Sequence, residues 1–516
     1  MSKQSFLYGT LILICAGMIT RFLGFINRLV VARLMGEEGV GLYMMALPTL
    51  FLIITLTQLG LPIAISKRVA EAEARNDQSK VKSILTVSLV ITSLTSIVFT
   101  ISMILIAPTI ANHFLTDART LFPLIAVSPI VPIVAISAVL RGYFQGKQNM
   151  KPQSIGQVIE QIVRITCVAL FIKWLLPYGI EFAAAGAMIS VIIGELASLL
   201  FMVYIFKRHK TVKIRRRFFT QLKTSKQTLK ELFSIALPST ASKLIGSVSQ
   251  FLEPILVTQS LAIAGISSVI ATKQYGELMG YALPLLFLPT FITHSLSVAL
   301  IPSISQAQAQ AQTKLTHYRI HQAIRLSFSA GAIATVILSL FSVPILTYMY
   351  GSANASKYIV FMAPFFILLY IQGPLQATLQ ALDLARPAMW NSLIGAIFKL
   401  TILFLLASNS KFGMMGVAIA MCFGVILVTL LHLGTLKKMV NFSLPFKDIF
   451  KMGLLISITA IVGYYLKQLF LKTGGHFVAF CFTIAALVLC YVVCLFLLKF
   501  ITRDEFKQIP IIRNWI

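Results

Sequence analysis

The sequence predicts an all-α integral membrane protein of about fourteen transmembrane helices. They form two six-helix lobes in a parallel pseudo-two-fold repeat, followed by two C-terminal helices. Three observations predict it. Apolar runs near the ~20 residues that a span needs recur along all 516 residues. Only 12% of residues are charged and 58% are hydrophobic, against roughly 25% charged in soluble chains, and the mean hydropathy is +0.88. Motifs of the first 200 or so residues return in the second half.

Taken in order, the apolar runs place spans near 5–33, 38–66, 82–108, 120–144, 152–176 and 182–206. The second set falls near 229–259, 268–302, 322–349, 357–382, 387–408, 413–436, 448–470 and 475–500. The first run resembles a signal peptide, with Lys3 ahead of Phe6–Thr20, but no small-x-small cleavage site follows and it is expected to stay as a span. Pro48 and Pro62, with Gly60, interrupt span 2, and Pro284, Pro289 and Pro302 interrupt span 8. Such breaks serve equally as hinges or as static kinks.

Charge placement orients the spans. There are 44 Lys+Arg against 16 Asp+Glu, a net +28, and the basic residues gather in alternate short loops. Lys67, Arg68 and Arg75 lie in one, Arg141, Lys147 and Lys151 in another, and Lys437, Lys438 and Lys447 in a third. The opposite loops are nearly neutral. The positive-inside rule puts the basic loops and both termini on the cytoplasmic side of the membrane, which requires an even number of spans. This placement favours a membrane partner and excludes nucleic acid as the reason for the charge. Four regions result: an N-lobe at 1–206, a basic cytoplasmic linker at 207–228, a C-lobe at 229–436, and the last two spans with a tail at 437–516.

The repeat is read from matched residues. Ala46-Leu-Pro-Thr-Leu-Phe-Leu52 returns as Ala282-Leu-Pro-Leu-Leu-Phe-Leu288. Leu140, Gln145, Lys151, Pro152 and Arg164 map at one constant offset onto Leu375, Gln380, Arg386, Pro387 and Lys399. Six spans per copy make the two copies parallel, with a substrate site expected between them.

Ionisable groups inside spans mark pathways or cavities. Arg21 and Arg28 are two turns apart on one face of span 1, and Lys243 with Gln250 repeats that spacing in span 7. Paired cationic faces suit an anionic ligand such as a phosphate. Lys273 and Glu277 of span 8 are equally readable as cavity-lining or structural. Glu160 and Arg164 are i,i+4 neighbours that neutralise each other, and Glu253 lacks an obvious local partner. Glu253 and Glu160 are therefore the ion-coupling candidates, and Arg21, Arg28, Lys243, Lys273 and Glu277 the substrate-binding ones. The six cysteines lie in apolar stretches and read as inert thiols. No catalytic or metal-binding motif is present, so no enzyme activity and no cofactor is expected. Transport would draw on Na+ or H+ coupling or on the membrane potential.

Thr20-Arg-Phe-Leu-Gly-Phe-Ile-Asn-Arg-Leu-Val-Val-Ala-Arg-Leu-Met-Gly36 and Gly39-Val-Gly-Leu-Tyr-Met-Met-Ala-Leu-Pro48 resemble the multidrug/oligosaccharidyl-lipid/polysaccharide (MOP) exporter superfamily. So does Leu140-Arg-Gly-Tyr-Phe-Gln-Gly-Lys-Gln-Asn-Met150, and the likeness is to its polysaccharide biosynthesis branch. The resemblance, nearly end to end, implies a MATE/MurJ-like fold. It also implies a cationic cavity lined by spans 1, 2, 7 and 8 for a diphosphate–sugar headgroup, and a lipid-tail groove at spans 13–14. Arg21 matches the first arginine of the MurJ-like span-1 motif. Where MurJ proteins continue with Arg-Asp, this chain has Asn27-Arg28, and Glu277 stands where they carry an arginine.

The expected function is a flippase for a lipid-linked oligosaccharide, lipid II by the resemblance, in spore cortex peptidoglycan synthesis and alongside cell-wall synthesis enzymes. The rivals are a flippase for a teichoic acid or exopolysaccharide precursor, a MATE-type small-molecule exporter, a polytopic glycosyltransferase, and a scaffold acting through the linker.

Overall fold

The computed structural model describes residues 6–208, 226–472, 474, 476–498 and 500, and nearly all of them are helical. The basic linker proposed at 207–228 falls mostly outside them, as does the basic tail after residue 500.

Helix α1 runs Phe6–Gln58, 53 residues broken internally at Gly36, whose φ of 68° and ψ of −174° are open to glycine without a Cβ penalty. At 1.5 Å per residue α1 is about 80 Å long, more than twice the ~30 Å of a bilayer core, so it holds the runs assigned to spans 1 and 2. The second of these ends where Leu59 and Gly60 take positive φ, and α2 (Leu61–Ala74) restarts with proline in its first turn. Then come α3 (Gln78–Thr109), capped by the Asp77 side chain on the Lys80 N–H, and α4 (Leu121–Val127) with α5 (Ile130–Gly146). Helices α6 (Lys151–Leu175) and α7 (Ile180–Arg208) precede the linker, and α8 (Lys226–Ile263) and α9 (Ser268–Gly276) follow it.

Glu277–Ala282 forms a π-helical stretch, α10 (Leu283–Leu286) follows, and α11 runs Thr290–Ala309. The chain bends by 54° between the two halves of this segment, at the proline positions expected to interrupt span 8. The remaining helices are α12 (Thr313–Tyr350), α13 (Ser356–Ala381), α14 (Ala385–Ala407), α15 (Gly413–Val440), α16 (Phe446–Lys472) and α17 (Phe477–Leu497).

Among the described residues ten helices are long and apolar enough to cross a membrane, or twelve if each bent pair is one span. The difference from fourteen has two physical sources. Expected spans 1 and 2 follow one another within α1 with only the kink at Gly36 between them, and α8, expected span 7, carries Lys230, Glu231, Lys243 and Glu253.

The chain divides into two compact units, Met1–Gly280 with 407–414, and 281–406 with 415–516. In the first, α2, α3, α5, α7 and α8 share an apolar core that includes Ile65, Ile84, Tyr143, Met202 and Leu232. Gly142 and Gly146 of α5 lie so close to the α2 backbone that an added Cβ would stand 2.8 Å from the Pro62 carbonyl oxygen and 2.7 Å from that of Ser66. In the second unit α12 packs on α13, and α16 and α17 pack on each other and on α12. Tyr370 donates to the Leu286 carbonyl at 2.8 Å, and Tyr491 to that of Ser329 at 2.5 Å. Each hydroxyl thereby places a large ring in an apolar core without an unsatisfied polar atom.

Candidate substrate-binding site

All the candidate residues lie in the first unit, on or around α1. Arg21 and Arg28 follow from the spacing: seven residues are two turns, about 10 Å along the helix. Arg21 is half-buried and Arg28 exposed. α1 packs against α6, α7, α8 and α9, so its polar groups meet those of four other helices. Tyr43, buried further along α1, lies within electrostatic reach of both Arg28 and Arg164, which brings the α6 cation toward the α1 face. Thr55 of α1 and Ser247 of α8 share a hydrogen bond of 2.9 Å. One turn from Ser247, Lys243 is exposed.

Glu160 and Arg164 form the expected i,i+4 ion pair. A second pair, from Arg141 of α5 to Glu195 of α7, was not anticipated. Glu195 is 5% exposed and lies within electrostatic reach of both Arg141 and Glu160. Two guanidinium and two carboxylate groups from three helices thus form a charge-balanced cluster. Gly194 makes it possible, because an added Cβ would stand 2.8 Å from the Glu160 carbonyl oxygen and 3.2 Å from the Arg164 Cβ. The α7 backbone therefore approaches α6 where the charges meet.

Lys273 reaches Glu37, just past the α1 break, at 3.4 Å. Glu37 is buried, so this pair offsets the cost of a carboxylate removed from water. Glu277 is buried at the start of the π-helical stretch, and Glu253 lies within electrostatic reach of buried Tyr275. The structure thus gathers Arg28, Glu160 and Arg164 in one neighbourhood and Lys273 in another, beside Glu37.

The second neighbourhood is tightly closed. Thr272 donates to Asp117 at 2.7 Å, and Arg119 bridges Asp117 (2.9 Å) and Glu38 (2.5 Å). Burial opposes ionisation of Asp117, but hydrogen bonds from Arg119 and Thr272 hold its carboxyl below the usual range. Beneath these side chains the backbones of α1 and α9 touch. A Cβ at Gly41 would stand 2.0 Å from the Thr272 carbonyl oxygen, and one at Gly276 1.8 Å from that of Glu37.

Asn27 also escaped notice as a site residue. It is 5% exposed and its Oδ1 has no hydrogen-bond partner among the described residues. The available signal was a polar amide inside an apolar span, beside Arg28.

A family model described as "Polysaccharide biosynthesis protein" matches residues 6–308, and one described as "MatE" matches residues 278–405. Over 516 residues, the full length of both proteins, the chain is 53% identical to Stage V sporulation protein B of Bacillus subtilis (strain 168). It is 24% identical over 421 residues to Lipid II flippase MurJ of the same organism, covering 78% of this chain and 77% of that one. Among solved structures it resembles "Lipid II flippase MurJ, inward closed conformation" with a TM-score of 0.71 and 16% identity, over 96% of this chain and 99% of that one. An inward-facing multidrug resistance MATE family transporter gives a TM-score of 0.65 and 17% identity, covering 82% and 94%. The solved carriers share the helical fold of this chain, and a family match over more than half the chain, with 53% identity along its full length to a curated relative, means that the protein belongs to the polysaccharide biosynthesis family.

Proposed function

We propose that the protein is a flippase that moves lipid II, an undecaprenyl-diphosphate-linked peptidoglycan precursor, from the inner to the outer leaflet for spore cortex synthesis. The observation that carries this reading is the cationic face of α1, with Arg21 and Arg28 two turns apart and Arg164 drawn toward the same helix. A diphosphate passing such a face exchanges water for charge-assisted hydrogen bonds. The 53% identity to Stage V sporulation protein B supports the sporulation setting, and the likeness to Lipid II flippase MurJ supports the substrate.

On this reading the chain makes fourteen spans with both termini in the cytoplasm. The lobes at 1–206 and 229–436 alternate access to a site between them, and spans 13 and 14 at 437–516 take the lipid tail. Arg21, Arg28 and Lys243 grip the diphosphate. Lys273 and Glu277 line the route, with Lys273 released from Glu37 as it opens. Glu253 and Glu160 are the ion-coupling groups of this reading, Glu160 in its pair with Arg164.

The test is lipid II translocation by the purified protein in proteoliposomes, comparing wild type with Arg21→Ala and Arg21→Lys. Translocation lost with alanine and partly kept with lysine supports the assignment. Equal translocation by all three removes Arg21 from the site. No translocation under any ion gradient or potential moves the substrate to another undecaprenyl-linked glycan.

A further inference from the structure

A cavity of ≈ 140 Å³ lies in the second unit, between the first turns of α12, the first turns of α16 and the end of α17. Its position along the helices matters first. It uses residues 318–325 of a helix that begins at Thr313, 448–452 of one that begins at Phe446, and 498–500 just past the end of α17. All three helices are long and apolar enough to cross a membrane, so the cavity sits where their ends leave the hydrocarbon. That end carries the basic loop residues Lys314, Arg319, Lys437, Lys438 and Lys447.

The lining has two chemistries. Arg325 of α12 and Lys451 of α16 bring cations from two different helices, and Asp448 adds one carboxylate. His321 also lines the cavity, within electrostatic reach of both Asp448 and Arg325. Leu444, Met452, Leu498 and Phe500 supply the apolar remainder. The volume would hold on the order of ten waters at the minimum space each requires, which is ample for a phosphate ester and its substituent. Two cations suit a phosphate. A site for a bare anion would be weakened by the carboxylate, whereas a headgroup ending in N–H or O–H donors would use it. A soluble metabolite would have no use for the apolar wall, which matches the glycerol ester region of a lipid.

We infer that this cavity holds a phospholipid headgroup, its phosphate on Arg325 and Lys451 and its hydrogen-bond-donating end on Asp448. Ethanolamine and glycerol headgroups satisfy all three residues; choline, with no N–H or O–H, leaves the carboxylate without a donor. The site lies at the ends of α16 and α17 and is separate from the diphosphate grip proposed on α1.

The test is native mass spectrometry of the purified full-length protein, counting phospholipids retained after exchange into phosphatidylethanolamine, phosphatidylglycerol or phosphatidylcholine. Wild type should retain the first two about tenfold better than phosphatidylcholine, the loss expected for one charge-assisted hydrogen bond. Asp448→Asn should erase that preference, and Arg325→Gln with Lys451→Gln should remove retention of all three. Arg325→Lys should keep most of it, which separates lost binding from lost folding. Unchanged retention by the double variant, or no preference over phosphatidylcholine in wild type, overturns the inference. Full competition by soluble glycerol phosphate would assign the cavity to a free phosphate ester and overturn the lipid reading.

Discussion

Helix pairs α6–α7 and α14–α15 are the same part of the repeat, built with opposite electrostatics. The offset of 235 residues that carries Arg164 to Lys399 carries Glu160 to Gly395. In the first pair, glycine brings the backbones together at Gly194, and the surrounding polar groups are ions: Glu160 with Arg164, and Glu195 with Arg141 of α5. In the second pair, glycine does the same twice, Gly424 against the Lys399 stem and Gly395 against Val428. That pair carries Lys399 but no acidic residue, and Asn391 donates to His432 at 3.1 Å and to Thr435 at 2.9 Å. An amide nitrogen only donates, so His432 Nδ1 accepts and the ring proton sits on Nε2. The difference teaches that this helix pairing requires close approach but not a carboxylate. Charges inside a membrane are costly, so the presence of Glu160 and Glu195 in one copy alone points to work on a ligand or an ion.

The largest way to break the comparison is Glu195→Gln. It leaves the half-buried Arg141 guanidinium without its counter-charge, and removal of one partner from a fully buried pair costs about 3–5 kcal/mol, an upper limit for this one. Equilibrium unfolding in mixed detergent should register that loss, while a double variant with Arg141→Met should recover part of it. Gly194→Ala and Gly395→Ala come next, at about 1–3 kcal/mol each. The added methyl would meet the Glu160 carbonyl in one case and Val428 Cγ2, at 2.1 Å, in the other. Near-equal losses would establish that close approach matters equally in both copies; an effect at Gly194 alone would show that the charges set the spacing.

His432→Leu should cost less, about 1 kcal/mol or under, because it removes one neutral hydrogen bond from a ring whose Nε2 has no partner among the described residues. A loss as large as that of Glu195→Gln would sink the contrast between the ion-paired copy and the copy without carboxylates. The smallest effect belongs to Asp117, outside both pairs. Its carboxyl is held below the ordinary value of 3.8, so its contribution is present above that pH and is lost as pH falls through the lowered value. Thermal unfolding should show a shallower acid limb in Asp117→Asn, with the two proteins converging below both values.

Much of the fold was legible because it rests on local signals. Apolar run length marked the helices, Gly60 and Pro62 marked the break before α2, and Pro284 and Pro289 marked the bend ahead of α11. The Glu160–Arg164 pair was legible for the same reason, since i,i+4 spacing fixes adjacency within one helix. Pairing between helices was not. The same spacing rule drew attention to Lys273 and Glu277, yet Lys273 reaches Glu37, and Arg141 reaches Glu195. Those partnerships depend on how far each helix is rotated and how closely it approaches, and glycines 41, 194 and 276 set the approach. A glycine in an apolar run gives no sign of which backbone it will meet.

The backbone contact between α1 and α9 bears on how motion in this protein can be observed. A spin label or fluorophore on a cysteine at position 41 or 276 would act as a wedge, reporting a separation that it had itself created. Positions 51 and 269 offer a cleaner distance ruler. Phe51 on α1 and Val269 on α9 are both exposed, 48% each, so a reporter there would sit beside the contact and leave it intact.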